Sequence, residues 1–294
     1  VAGILLDGEA VASRVRSEVA ARVQRLVSSG RVPGLGTILV GDDPPSARYV
    51  AMKHADCAQV GIASYHEHLP HDASQQEVLE AIARFNDNPL VDAYLLQLPL
   101  PKGLDEQEAL MAIDPDKDVD GLHPVNLGRL VQQLGGGVEE RSSVVPCTPA
   151  GIVELLRAYK VPVEGHHAVI VGRGLTIGRP LSLLLSSKRP GCNAAVTVVH
   201  TGVEDLGSYV VQADVVVAAA GVAGLIKPEM IKPGAAVVGA GISWEGRRLL
   251  SDLAEGVEEV AGWYTPRVGG VGPMTRAMLL VNAVEAAERH LGAR

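Results

Sequence analysis

The chain has little aromatic character: one Phe, two Trp and six Tyr make up 3% of its 294 residues. Its core must therefore be filled by Leu, Val, Ile and Ala. Cysteine is scarce as well. Cys57, Cys147 and Cys192 form no CxxC pair and are odd in number. That excludes a disulfide-stapled scaffold and fits free thiols in a reducing compartment. Positive charge is outweighed, with 26 Lys and Arg against 34 Asp and Glu and a formal net charge of -8. A general nucleic-acid surface needs the opposite balance, so no nucleic-acid partner is expected; small anionic ligands depend on local charge and stay open. No run of about 20 uncharged apolar residues occurs, so no membrane span is expected. Residues 1–6 are apolar without a basic stretch or cleavage pattern. No secretory signal is expected, and the cytoplasm is the expected location.

What is present is an ordinary globular composition, 47% hydrophobic and 20% charged, in a chain long enough for about two domains and a core that needs no metal or disulfide. Short β-rich apolar runs alternate with longer amphipathic ones. Helices are expected over residues 12–27, 44–60, 75–86, 149–159 and 275–291, and strands over 35–40, 62–68, 93–97, 168–171, 195–199, 215–219 and 235–238. The helix from Pro44 has Asp43 as a cap and Gly61 as a stop. A glycine-rich polar stretch at 136–143 reads as a linker. The alternation predicts an α/β protein of two domains, with mostly parallel sheets covered by helices. The expected arrangement is an N-terminal α/β substrate domain and a Rossmann-type doubly wound domain, with a cleft between them.

Val169-Ile170-Val171 runs into Gly172-Arg173-Gly174-Leu175-Thr176-Ile177-Gly178, with a helix expected from Pro180. Strand, glycine turn and helix present backbone N–H groups and a positive helix end to a pyrophosphate. The spacing is GxGxxxG, one residue longer than the usual fingerprint, and such a turn also occurs with no ligand. The strand at 195–199 ends in His200-Thr201, where an NAD site often carries an acidic residue for the ribose hydroxyls. With Arg173 available to pair with a ribose phosphate, this favours NADP. Glu204 and Asp205 nearby keep NAD open.

Tyr49 and Lys53 are four apart on the helix from Pro44 and share a face, which Cys57 and Val60 continue. A lysine on an inward stripe is either snorkelling from a half-buried helix, the readier reading of the stripe alone, or tuned for proton transfer. Gln97 stands at the carboxyl end of a strand, where open α/β sheets place ligands. It is either a polar end cap or a partner for the lysine or a substrate. Residues 114–121 hold four carboxylates. They read as a solvated acidic turn and lack the pattern of a calcium loop. His66, His68 and His71 are scattered by a strand end and a proline turn, so no metal is expected. Cys147, just ahead of a helix start, reads as packed.

Together these segments resemble the bifunctional methylenetetrahydrofolate dehydrogenase/methenyltetrahydrofolate cyclohydrolase family along essentially the whole chain. The matching motifs are Val40-Gly41 through Ser46 with Tyr49 and Lys53; Leu96-Gln97-Leu98-Pro99-Leu100-Pro101; Lys117-Asp118-Val119-Asp120-Gly121; Pro146-Cys147-Thr148-Pro149; Val171-Gly172-Arg173; and Gly269-Gly270-Val271-Gly272-Pro273-Met274-Thr275. The resemblance implies that Lys53 is the central acid/base group, that Tyr49 and Gln97 position substrate and lysine, and that Asp120 binds the pterin ring. It implies that Gly270, Pro273 and Thr275 lie near the folate, between the domains. Gly172, Arg173, Gly174, Thr176, Ile177, Gly178, His200 and Thr201 would hold NADP. It also implies a catalytic domain over 1–140, a cofactor domain over 141–272, a final helix from 273 to 294 packed back on the first domain, and a homodimer. The expected reaction oxidises methylenetetrahydrofolate with NADP and hydrolyses the methenyl product to formyltetrahydrofolate. The alternatives are a monofunctional dehydrogenase, another two-domain oxidoreductase or a non-catalytic NADP-binding regulator. The chain departs from the family pattern at Gly174-Leu175 in place of Ser-Asn, at Gly239-Ala240-Gly241 in place of Asp-Val-Gly and at Arg267-Val268 in place of Val-Pro.

Overall fold

A computed structural model describes residues 3–132, 144–246 and 248–292; the expected linker at 136–143 lies outside them. In chain order the elements are β1 (Ile4–Leu5), α1 (Gly8–Ser28), β2 (Gly34–Val40), α2 (Pro44–Val60), β3 (Ala63–Leu69), α3 (Gln75–Asp87), β4 (Ala93–Leu96), α4 (Glu106–Ala112), α5 (Pro124–Gln132) and α6 (Cys147–Ala158). They continue with β5 (His167–Val171), α7 (Gly178–Ser186), β6 (Ala195–Val199), α8 (Leu206–Val210), β7 (Val215–Ala218), β8 (Ala236–Gly239), β9 (Ile242–Glu245), β10 (Arg248–Ser251), α9 (Val257–Val260), β11 (Trp263–Tyr264) and α10 (Val271–Gly292). The chain divides into two compact units.

The first unit, Ser13–Leu127 with Arg276–Arg294, contains a three-stranded parallel sheet ordered β3-β2-β4. Strand alternation decides what each face carries. Ile38 and Val40 of β2 and Tyr94 and Leu96 of β4 pack with Val78, Ile82 and Phe85 of α3. Thr37, on the opposite face of β2, reaches His54 of α2. The helix α2 begins as its sequence dictates. Asp43 accepts from the backbone N–H of Ser46 at 3.0 Å, two prolines fill the first turn, and Gly61 at φ 85° closes the end with its N–H on Cys57 O. Lys117 is buried, and its Nζ donates to the carbonyls of Phe85, Asn86 and Asn88 at 3.1, 2.7 and 2.9 Å. A cation there closes the negative end of α3. Burial holds the Lys117 ammonium below its usual pKa, against the pull of Asp114, Asp92 and Asp87. Later residues of α10 complete this unit. Asn282 donates to Val119 O at 2.9 Å, Arg22 pairs bidentately with Glu288, and His290 Nδ1 lies 2.9 Å from Asp92. Asp92, fully buried, also accepts from Gly34 N at 2.9 Å and from Arg31.

The second unit, Val1–Ala12 with Gly128–Thr275, holds a six-stranded parallel sheet ordered β1-β11-β8-β7-β5-β6 and a β9–β10 hairpin. From β5 the chain moves outward to β6, then returns to the other side for β7 and β8. The connection reverses between β5 and β7, which makes this the topological switch point of a doubly wound sheet. Strands β7 and β8, and β5 after His167, are apolar because both faces are covered. One side packs Val169, Val171, Val216, Val237 and Val257 into a common core.

Three helix starts differ from the periodicity: α1 opens at Gly8, four residues ahead of Ala12, and two others gain a first turn. The last helix opens at Val271, four residues ahead of Thr275, and α6 opens at Cys147, two ahead of Pro149. Each therefore carries a proline in its first turn, where the missing N–H costs no intrahelical bond. Cys147 is thus the first helical residue rather than the one preceding it.

Candidate active site

Tyr49 and Lys53 lie one turn apart on α2, both half-buried, while Cys57 and Val60 further along are buried. The stripe thus runs from the edge of the unit at its N-terminal end into the core at its C-terminal end. Gln97 follows β4 by one residue and continues its ladder, its N–H bonding to Ile38 O at 2.8 Å. Alternation sends Tyr94 and Leu96 toward α3 and Gln97 toward α2. There Lys53 Nζ donates to Gln97 Oε1 at 3.1 Å, while Gln97 Nε2 donates to Leu98 O at 2.8 Å. The two bonds fix the amide's orientation, so its oxygen faces the ammonium. The Leu98–Pro99 peptide that follows is cis.

Beside Lys53, His54 Nε2 and His66 Nδ1 sit 3.1 and 2.8 Å from Thr37 Oγ1, with their rings edge-on at 5.2 Å. Burial lowers the pKa of both imidazoles. Lys53 and His66 push His54 further down, and His68 does the same to His66. This pair was not singled out from the sequence, because it joins a helix to an adjacent strand. Cys57 is fully buried, and burial pushes its thiol up to about 11, which makes it a packing residue rather than a nucleophile.

Asp120 is half-buried. Its segment is organised by Asp118, a buried carboxylate that accepts from Gly121 N at 3.1 Å, His123 N at 2.9 Å and Asn126 Nδ2 at 2.9 Å. Burial raises the Asp118 carboxyl above the usual range despite these bonds. The acidic stretch is therefore a built turn, with Asp118 turned inward and Asp116 exposed. Aspartate followed three residues later by glycine is a turn pattern and was the available signal.

In the second unit, β5 delivers Gly172 to the switch point. Its φ is +136°, and a Cβ there would lie 2.2 Å from Ala219 O, so only glycine fits. Gly172 N donates to Val199 O at 2.8 Å, which sets the glycine turn beside the end of β6, where His200 and Thr201 follow. Arg173, Gly174 and Thr176 are exposed, Ile177 is half-buried, and Gly178 opens α7 against Gly172 O. His200 Nδ1 accepts from Gly202 N at 3.1 Å. Asp205 is occupied as the cap of α8, accepting from Ser208 N, while Glu204 is exposed. A bare backbone turn, a helix start and a non-acidic strand end at a switch point fit a dinucleotide. Gly270, Pro273 and Thr275 also belong to this unit, with Thr275 Oγ1 3.0 Å from Thr148 Oγ1.

A doubly wound unit with a glycine turn at its switch point, together with an α/β unit carrying a lysine–amide pair, fits the class of dinucleotide-dependent enzymes. The family comparisons narrow this. The catalytic-domain model of the tetrahydrofolate dehydrogenase/cyclohydrolase family matches residues 6–120, and its NAD(P)-binding-domain model matches 146–291. A bifunctional protein FolD from Syntrophotalea carbinolica is 58% identical over 284 residues, covering 97% of this chain and 96% of that protein. The crystal structure of the bifunctional FolD from Campylobacter jejuni superposes with a TM-score of 0.92 at 39% identity, covering 98% of this chain and all of that one. The Trypanosoma brucei FolD, solved with NADP cofactor and an inhibitor, gives 0.91 at 36% identity with 99% of each chain covered. The chain belongs to the tetrahydrofolate dehydrogenase/cyclohydrolase family. It is an enzyme that couples NAD(P)-dependent oxidation of methylenetetrahydrofolate to hydrolysis of the methenyl product.

Proposed function

We propose that Lys53 is the acid/base group of the cyclohydrolase step, held in place by Gln97, with Tyr49 a turn away on the same helix face orienting substrate. The observation that carries this is the 3.1 Å bond from Lys53 Nζ to an amide oxygen whose own N–H is already committed to Leu98 O. Gly172, Arg173, Gly174, Thr176, Ile177, Gly178, His200 and Thr201 would hold NADP, which would supply the acceptor for the hydride lost from the one-carbon bridge of methylenetetrahydrofolate. The protein's part is to hold and orient the reactants. In the hydrolytic step water adds to the methenyl carbon and the ring opens to formyltetrahydrofolate, and Lys53 Nζ moves the protons. Asp120 accepts hydrogen bonds from the pterin's N–H groups. Gly270, Pro273 and Thr275 contribute to folate binding. NADP is the preferred cofactor, supported by exposed Arg173 and by a strand end at His200-Thr201 whose nearest aspartate is spent as a helix cap. We also propose a cytoplasmic homodimer; three free, buried thiols suit a reducing compartment.

Lys53→Met tests the central assignment. The variant keeps most of the packing volume and is expected to fold. Hydrolysis of methenyltetrahydrofolate, followed by absorbance, should fall about a hundredfold or more. Near-wild-type hydrolysis would remove Lys53 from the mechanism.

A further inference from the structure

We infer that Asp252 is a positioning residue for the dinucleotide, fixing the backbone that follows β7 at the switch point without touching the cofactor itself. This rests on the cofactor reading given above and adds a residue to it.

Asp252 follows β10 and is fully buried. Its Oδ2 accepts from Ala220 N at 2.7 Å and Gly221 N at 3.0 Å. These N–H groups belong to the turn that leaves the carboxyl end of β7. That turn borders the cofactor's glycine turn directly, because Ala219 N donates to Val171 O at 2.7 Å and Ala219 O is the atom that forbids a Cβ on Gly172. The backbone of the same segment is tied in as well. Asp252 O accepts from Ile226 N at 2.9 Å, and Ser251 O accepts from Gly224 N at 3.0 Å.

The neighbouring strand end is cut to fit this carboxylate. Ala240 N and Gly241 N both donate to Ala218 O at 2.8 Å, which turns the chain after β8 toward Asp252. A Cβ on Gly241 would lie 2.0 Å from Asp252 Oδ2 and 2.5 Å from its Cγ. Gly241 is therefore the space through which the carboxylate reaches residues 220–221. One side chain thus bonds the carboxyl-end turn of β7 and packs against Gly241 in the turn after β8, beside the glycine turn of a third strand, β5. A need for core stability alone would be met more cheaply by an apolar side chain. Burial of Asp252 opposes ionisation, and the N–H groups of Ala220, Gly221 and Val222 only partly offset it. Its second oxygen, Oδ1, is buried with no hydrogen-bond partner among the described residues. Such a group is retained where it fixes a backbone conformation that an apolar residue cannot specify.

The test uses the full chain and three variants: Asp252→Ala, Asp252→Asn and Gly241→Ala. NADP affinity is measured by calorimetric titration, cyclohydrolase activity is measured without NADP, and folding is followed by thermal unfolding. Asparagine keeps one oxygen to accept both N–H groups. The expected result is that Asp252→Ala and Gly241→Ala weaken NADP binding by about ten- to a hundredfold, that Asp252→Asn restores it to within about threefold, and that the folded variants hydrolyse methenyltetrahydrofolate as the wild type does. If Asp252→Ala does not fold, Gly241→Ala carries the test. Folded Asp252→Ala or Gly241→Ala with wild-type NADP affinity overturns the proposal, even if its unfolding temperature has dropped. Wild-type protein that fails to bind NADP overturns the cofactor reading and this inference together.

Discussion

Replacing Asp118 by alanine separates a turn that is merely solvated from one built to present Asp120. The carboxylate accepts from Gly121 N, His123 N and Asn126 Nδ2. Asn126 keeps a second acceptor in Pro115 O at 2.8 Å, so the loss falls on the two backbone donors, both on buried residues. A buried donor left without an acceptor costs about 1–3 kcal/mol, giving roughly 2–6 kcal/mol for the pair. Against this stands relief from burying a carboxylate whose pKa is already raised by desolvation. The expected net loss is about 3 kcal/mol, at the upper end of single-site effects. Equilibrium urea unfolding should show a lower midpoint with an unchanged slope. Titration with a folate analogue should show weaker binding, because the segment carrying Asp120 is no longer held. Asp120→Ala is the control: it should lose folate affinity by about ten- to a hundredfold at nearly wild-type stability. A loss below about 1 kcal/mol in Asp118→Ala, with folate affinity intact, would refute the reasoning.

Two further outcomes follow from the site. Arg173→Ala should narrow the preference for NADP over NAD, read as the ratio of kcat/KM values, since an exposed arginine in the glycine turn is the available partner for a ribose phosphate; a wild type that uses NAD equally well contradicts it. The folded-state pKa values of His54 and His66 are lowered by burial, with Lys53 and His68 adding to the effect, so protonation favours the unfolded chain. Their contribution is fully present above about pH 6.5 and is lost as pH falls through that value. The urea midpoint of the wild type should therefore drop more between about pH 7.5 and 5.5 than that of a His54→Gln/His66→Gln variant. Parallel profiles would assign the drop to other groups.

Much of the fold lies in local pattern. Asp43, two prolines and Gly61 bracket α2, helical spacing puts Tyr49 and Lys53 on one face, and the glycine turn follows the apolar run 168–171. The pairing of Lys53 with Gln97 was legible only as one of several readings of Gln97, since their contact depends on where α2 crosses the end of β4. Strands β1 and β11 have two residues each and show no period. Asp252 offered no local signal, because its partners lie 31 and 32 positions upstream. Lys117 looked like part of an acidic turn. Its burial comes from carbonyls near residue 86 that converge on it only in the folded chain.

The way α10 completes the three-stranded unit has a bearing on synthesis. Asp92, Val119, Arg22 and Asp56 wait for His290, Asn282, Glu288 and Arg276, and all of Gly128–Thr275 must be translated in between. At a ribosomal pace of about 5–20 residues per second, that interval is on the order of ten seconds. During it, Asp92 has Gly34 and Arg31 but lacks His290, and Arg22 lacks Glu288. A ribosome stalled, or a message cut, ahead of Arg276 would leave a chain in which the three-stranded unit is the unfinished one. Such chains are natural clients for chaperones and proteases until α10 has been made.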